Sequence, residues 1–210
     1  MGEPRPYRGV GAEVRRAQRR AALIETGLDC LDADGLGGVS VRSICARARL
    51  TPRYFYESFA DLDELLIAVV DTVAAEIATH VVAAVAAAPD QFDAQVRALV
   101  SAAFDVVSGD PRKANSVLVA ASGHPALRHR RSEIAMDYAE IAMSNLPALA
   151  ARSAAERREV RATTLFLLGG SVELIVAVLS GGVRLSRTRV VALLTDMWTS
   201  VLAERAGVHG

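Results

Sequence analysis

With 210 residues the chain is long for one small domain and comfortable for a short domain joined to a larger one with ample surface to bury. Its 24 basic and 24 acidic side chains cancel, which excludes a bulk polyelectrolyte binder and requires any attraction to nucleic acid to come from local clustering. Two cysteines, Cys30 and Cys45, set in apolar helical patterns, exclude a disulfide framework or a zinc site of paired spacing and are expected to be buried free thiols.

Positive charge clusters first at the N-terminus, where Arg5, Arg8, Arg15, Arg16, Arg19 and Arg20 face only Glu3 and Glu13. Residues 1–14 are expected to form a flexible basic arm, able to follow a phosphate backbone or enter a minor groove, or else to serve as a solubilising tail. No apolar stretch of signal-peptide type follows, so the expected location is cytoplasmic. Ala17, Ala21, Ile24, Leu28 and Leu31 then recur at steps of four and three, one apolar stripe of a first helix ending near Asp34 and Gly35.

Residues 36–65 carry the most information. Ser40 suits an N-cap, and behind it Val41, Ile44, Cys45 and Ala48 share an apolar face that leaves Arg42, Arg47 and Arg49 outside. Thr51 followed by Pro52 starts another helix a few residues on, because proline at the first helical position loses no needed donor. Phe55 and Phe59, four apart, pack inward and turn Arg53, Tyr54, Tyr56 and Ser58 toward the other side, within reach of a phosphate or a base edge.

The remaining chain reads as a train of helices. Asp61 with Glu64 opens a long apolar helix to about Ala88, stopped by Pro89; Asp90 caps a fifth through about Val107; Asp110 with Pro111 begins a sixth that fades at Gly123. Pro125 begins a seventh ending before Pro147, Ser153 with Glu156 an eighth to about Ser180 closed by Gly181 and Gly182, and Ser186 a ninth to about Arg205. The apolar stretch Leu165 to Val183 is interrupted by Gly169, Gly170, Ser171, Glu173, Ser180, Gly181 and Gly182, poor material for a bilayer span, and is expected to be a buried helix. The fold class is therefore all-α, about nine helices with no strand pattern.

At residues 15 to 66 the sequence resembles the TetR (tetracycline-repressor) family of bacterial regulators. The resemblance rests on Gly35 with Leu36, Ser40 with Val41, Ile44 with Cys45, Tyr56 to Phe59, and Asp61 to Leu65. Arg49 departs from the small residue common in the family's inter-helix turn, and Leu62 stands in place of the lysine usual at the start of its fourth helix, removing one expected phosphate contact. The resemblance implies an N-terminal helix-turn-helix DNA-binding domain, residues 15–60, and a larger helical effector-binding and dimerisation domain, residues 61–210. It also implies a homodimer on double-stranded DNA at a palindromic operator, released by a small-molecule effector, with no membrane partner.

By resemblance and exposure, Arg53 and Tyr54 are the expected base contacts; Thr51, Tyr56 and Ser58 suit phosphates, Arg42 either, and Pro52 sets the helix start. For Tyr56 the ring is expected inward and the hydroxyl outward. From helices that surround a cavity in the family come Phe104, Val107, Met136, Tyr138, Met143, Phe166 and Glu173 as lining candidates, with plain core as the alternative. Glu173, a carboxylate in an apolar stretch, needs a cavity, an interface or an ion pair with an arginine across the dimer.

For the dimer interface the family's last two helices point to Gly169, Val190, Leu194, Met197, Trp198 and Val201, with completion of a monomer core as the other possibility. The composition favours an apolar effector. A DNA-binding protein with a filled core and no effector is the alternative. A helical enzyme is more remote, since His80, His124, His129 and His209 form no catalytic or metal-ligating spacing, and no cofactor is implied.

Overall fold

The computed structural model describes residues 9–121, 124–149 and 153–206, which form nine α-helices and, among these residues, no strand. They are α1 (Gly9–Gly38), α2 (Val41–Ala48), α3 (Pro52–Tyr56), α4 (Leu62–Ala87), α5 (Phe92–Gly109), α6 (Pro111–Ala121), α7 (Pro125–Asn145), α8 (Ala154–Leu179) and α9 (Arg187–Ala206), with a 3-10 turn at Pro147–Leu149. Arg5 and Arg8 of the expected arm, and Gly123, lie outside the described residues. Residues 9–14, expected in the arm, instead form the first turns of α1. The helical ladder continues toward the N-terminus beyond the apolar stripe that marks the helix in the sequence.

Most boundaries have a visible chemical cause. α1 breaks at Gly35, whose φ of 61° only glycine adopts without strain. The Ser40 side chain accepts from the Ser43 N–H and the Ser43 hydroxyl accepts in return from the Ser40 N–H, a reciprocal cap on α2. Asp61 accepts from the Glu64 N–H at 2.9 Å, and Ser153 from the Glu156 N–H at 3.2 Å. Two expectations need correction. Thr51 holds the N-cap position of α3 without a side-chain capping bond, and Gln91 rather than Asp90 caps α5. A tight turn from the Gln91 N–H to the Pro89 carbonyl, 2.7 Å, delays the α5 start by one residue.

Two hydrophobic cores share one helix. Leu23, Leu31, Ile44, Phe55 and Phe59 of the N-terminal head close around Leu65, Leu66, Val69 and Val73 from the first half of α4, joined by Leu127 of α7. The body core collects Val81 and Val85 from the second half of α4 with Val96, Phe104, Leu146, Val190, Trp198 and Leu202. Ile77 packs against both. At Gly27 a Cβ would stand 2.9 Å from Val69 Cγ2, so α1 and α4 approach closely because that residue has no side chain.

Polar contacts fasten head to body along α6. Arg112 donates to Glu25 at 2.8 Å, to Asp29, and to Asp110 at 2.6 Å. Asn115 donates to Asp32 at 2.6 Å, and Lys113 to Glu76 of α4 at 2.6 Å. α7 adds Arg130 to Asp71 at 2.6 Å. Hydrogen bonds from Arg112 hold the Asp110 carboxyl below the usual carboxylate range.

Replacing Arg112 by Ala is expected to cost about 1–2 kcal/mol, because it strands three acidic partners together, and thermal melts should show a fall of roughly 3–6 °C. A carboxyl with a depressed folded pKa contributes stability that is present above the unfolded value, ~3.9, and lost as pH falls through the folded one. Asp110→Asn should therefore flatten the acid limb of the stability curve below about pH 4, measured by denaturant titration at successive pH values.

Candidate nucleic-acid interface and effector cavity

The helix-turn-helix segment buries Phe55 and Phe59 and leaves Thr51, Pro52, Arg53, Tyr54 and Tyr56 exposed on one side, with Arg42 exposed on α2. Among the described residues, Arg42 and Arg49 make no salt bridge, whereas Arg53 donates to Glu57 at 3.2 Å and its side chain is 85% exposed. The cationic surface therefore combines free arginines with one restrained only by a surface pair, which is worth little.

Two positions differ from their expected roles. Tyr56 is 60% exposed rather than ring-inward; it touches Phe55 only by an edge, centroids 5.3 Å apart, because Phe55 already fills the interior. Ser58 was expected to reach phosphate, but its hydroxyl is buried without a hydrogen-bond partner among the described residues. The chain tightens after Tyr56 into a turn in which the Ser58 N–H bonds the Phe55 carbonyl at 2.9 Å, carrying Ser58 off the outer face.

Sequence reasoning missed the arginines that α1 places against α3. Arg19 lies over the Tyr54 ring, 4.5 Å from the centroid, and reaches Glu57 at 3.4 Å, while Arg16 donates to the Glu57 carbonyl at 2.6 Å. Arg20 lies over Phe59 at 4.8 Å. Their signal was present as arginines three and four apart beside the apolar stripe of α1, but only tertiary packing shows that they brace the recognition segment. Leu62 packs partly buried against the head core.

In the inter-helix turn Arg49 adopts φ 53°, ψ 39°, the left-handed cap in which its N–H bonds the Ala46 carbonyl at 3.3 Å. A side chain there costs about 1–2 kcal/mol relative to glycine.

A second site lies in the body. Helices α4, α5, α7, α8 and α9 enclose an apolar cavity of about 210 Å³, to which α4 contributes Val70, Val73, Ala74, Ile77, Ala78 and Val81. Of the candidate lining residues, Val107 and Tyr138 line it. Tyr138 donates to the Ala74 carbonyl at 2.8 Å, and burial pushes its phenol pKa well up. Phe104 and Met143 are buried in the adjoining body core instead of lining the cavity, and Met136 is exposed on α7. Phe166 is 80% exposed: Leu167 faces the core, and the neighbouring position lies about 100° round the helix. Glu173 is exposed and is absent from the cavity lining; its charge is met by Arg131 of the same protomer at 2.9 Å.

The expected interface residues divide. Val190, Leu194 and Trp198 are buried inside the protomer, and Leu194, Trp198 and Gly169 line the cavity. Val190, Leu194 and Trp198 follow one another at steps of four on the inward face of α9, so the apolar positions of this helix form two stripes rather than one interface. Met197 and Val201 form the outward one, at 48% and 38% exposure. Nor is α8 the buried helix expected, since Phe166, Gly169 and Gly170 are exposed along it.

No family model matches the chain. The HTH-type transcriptional regulator BetI from Paraburkholderia phymatum is 35% identical over 116 residues, 54% of this chain and 59% of the regulator. The aligned stretch thus spans about three fifths of the length of that curated relative. Among solved structures, a tetR-family transcriptional regulator from Streptomyces coelicolor superposes with a TM-score of 0.69 at 16% identity, covering 92% of this chain and 84% of the other. The chain has the fold of the TetR-family regulators. The fatty acid degradation regulator FadR from Bacillus halodurans shares this TetR-like fold too, with a TM-score of 0.71 at 14% identity over 85% of this chain and 93% of its own.

On this TetR-like scaffold, Arg49→Gly is expected to raise stability by about 1 kcal/mol, measured by denaturant melts of the two proteins.

Proposed function

We propose that the protein is a DNA-binding transcriptional regulator, a homodimeric repressor that holds a palindromic operator in the cytoplasm and lets go when a small apolar ligand binds. The observation that carries this reading is the segregation of the helix-turn-helix segment into a buried Phe55–Phe59 side and an outer side of Arg42, Arg53, Tyr54 and Tyr56. Arginine can pair both acceptors of guanine, so Arg53 is assigned to base readout once DNA displaces Glu57. Arg42, Thr51 and Tyr56 are assigned to the backbone, which fixes register without carrying sequence. In such a dimer two α3 segments about 34–36 Å apart would meet successive major grooves on one face of the duplex.

Support for a second copy comes from α8 and α9. Gly169 and Gly170 sit inside a helix at roughly 1 kcal/mol each relative to alanine, yet a Cβ at either would meet nothing within 4 Å in the protomer. Phe166, Met197 and Val201 remain exposed on the same pair of helices. A close helix approach from a partner accounts for both, and no bilayer is needed to cover these residues, although α4 and α8 are long and apolar enough to span one. The cavity of about 210 Å³ favours a ligand-released protein over one with a filled core. Release requires only that ligand prefer the dimer whose heads are wrongly spaced for DNA.

Footprinting on the DNA flanking the protein's own gene, at stated salt, should protect a palindrome, whereas equal weak binding to random DNA would count against operator recognition. Arg53→Ala should cost about 1–3 kcal/mol and relax specificity, while Arg42→Ala should weaken all sequences alike and lower the salt slope by about 1. Sedimentation of Phe166→Glu should show a monomer with the helical content of the parent; a dimer that persists would place the interface elsewhere.

A further inference from the structure

We propose that the cavity takes a small anionic amphiphile, its apolar body lodged among α4, α5, α7 and α8 and its carboxylate held by Arg131. This rests on reading the cavity as the effector site and adds the ligand's chemical class.

The lining is almost wholly hydrocarbon, and its neutral polar groups are already engaged with one another. Tyr138 donates to the Ala74 carbonyl, the Ser171 hydroxyl donates to the Leu167 carbonyl at 2.7 Å, and Trp198 Nε1 donates to Ser171 at 3.0 Å. A neutral ligand gains no donor from these residues unless it breaks an existing bond. Arg131 is different. It is the charged residue among those lining the cavity, it is partly exposed, and its guanidinium spends one nitrogen on Glu173, itself largely exposed on α8. A guanidinium offers five N–H donors in a planar fork suited to a carboxylate.

An exposed ion pair of this kind is worth little. Glu173 can therefore swing into solvent at small cost and yield its place. The entering carboxylate is delivered by an apolar body buried nearby, so its pairing carries less of the ordering cost that a free anion would meet. A cationic ligand would instead set its charge beside Arg131. Size narrows the class further: an apolar cavity of about 150 Å³ accommodates benzene, so about 210 Å³ suits an acyl chain of roughly eight carbons or an aryl group with a short tail.

Calorimetric titration of the full-length protein with octanoate and with 1-octanol, both below their aggregation thresholds, tests this. Octanoate is expected to bind about tenfold more tightly, the scale of one charge-assisted hydrogen bond. Arg131→Met should erase that preference and leave octanol affinity unchanged, while Glu173→Gln should strengthen octanoate and not octanol. Equal affinities in the parent protein, or a preference that survives Arg131→Met, would overturn the anionic assignment while leaving the cavity as an effector site. Binding of neither probe would overturn both. Melting of each variant within a few degrees of the parent establishes that the comparison is between folded proteins.

Discussion

Everything in this molecule is hung on α4. Its 26 residues, about 39 Å at the usual rise, supply Leu65, Leu66, Val69 and Val73 to the head core and Val81 and Val85 to the body core, with Ile77 touching both. Packed interiors do not deform continuously. In the proposed regulator, a ligand that pushes on Val73, Ala74 or Ile77 from the cavity side pushes on a rod whose other end is the floor of the helix-turn-helix head. The distance between site and readout is bridged by one uninterrupted helix, so no relay of side chains has to be invoked.

The second tie is electrostatic and runs through α6. Arg112 faces Glu25 and Asp29 on α1, Asn115 faces Asp32 one turn further along, and Lys113 faces Glu76 on α4. The acidic side of α1 is thus turned to the body, while its Arg16, Arg19 and Arg20 brace the recognition segment from another side. A chain with zero formal net charge in this way presents a cationic face without being a cationic protein. In the proposed regulator the interaction with DNA would therefore be local, and strongly dependent on salt.

Much of the fold was legible because its signals are local. Ser40, Asp61 and Ser153 cap the helices they precede, Pro52, Pro111 and Pro125 open helices, and the Phe55–Phe59 spacing identifies the inward side of α3. What periodicity could not separate was one wide apolar stripe from two. On α9, Val190, Leu194 and Trp198 face the protomer core while Met197 and Val201 face out, and all five satisfy the same steps of three and four. Phe166 failed for a related reason, since an aromatic one residue from the inward-facing Leu167 looks like core in a sequence and is solvent-facing in space. The pairing of Glu173 with Arg131 and the packing of Arg19 on Tyr54 join residues from different helices, and no local pattern encodes them.

The sharing of α4 also bears on how such proteins can be recombined. The family resemblance implies a seam at residue 61, where the capped helix begins, and a chimera cut there would look natural on paper. Such a cut would strip the head of Leu65, Leu66, Val69 and Val73, the residues on which Ile44, Phe55 and Phe59 close. A transplantable head must carry α4 past Val73, and would then bring part of the cavity wall with it, because Val70, Val73 and Ala74 line the cavity. In the proposed regulator, DNA preference and ligand preference would consequently not be inherited as independent modules: exchanging one would rewrite a share of the other.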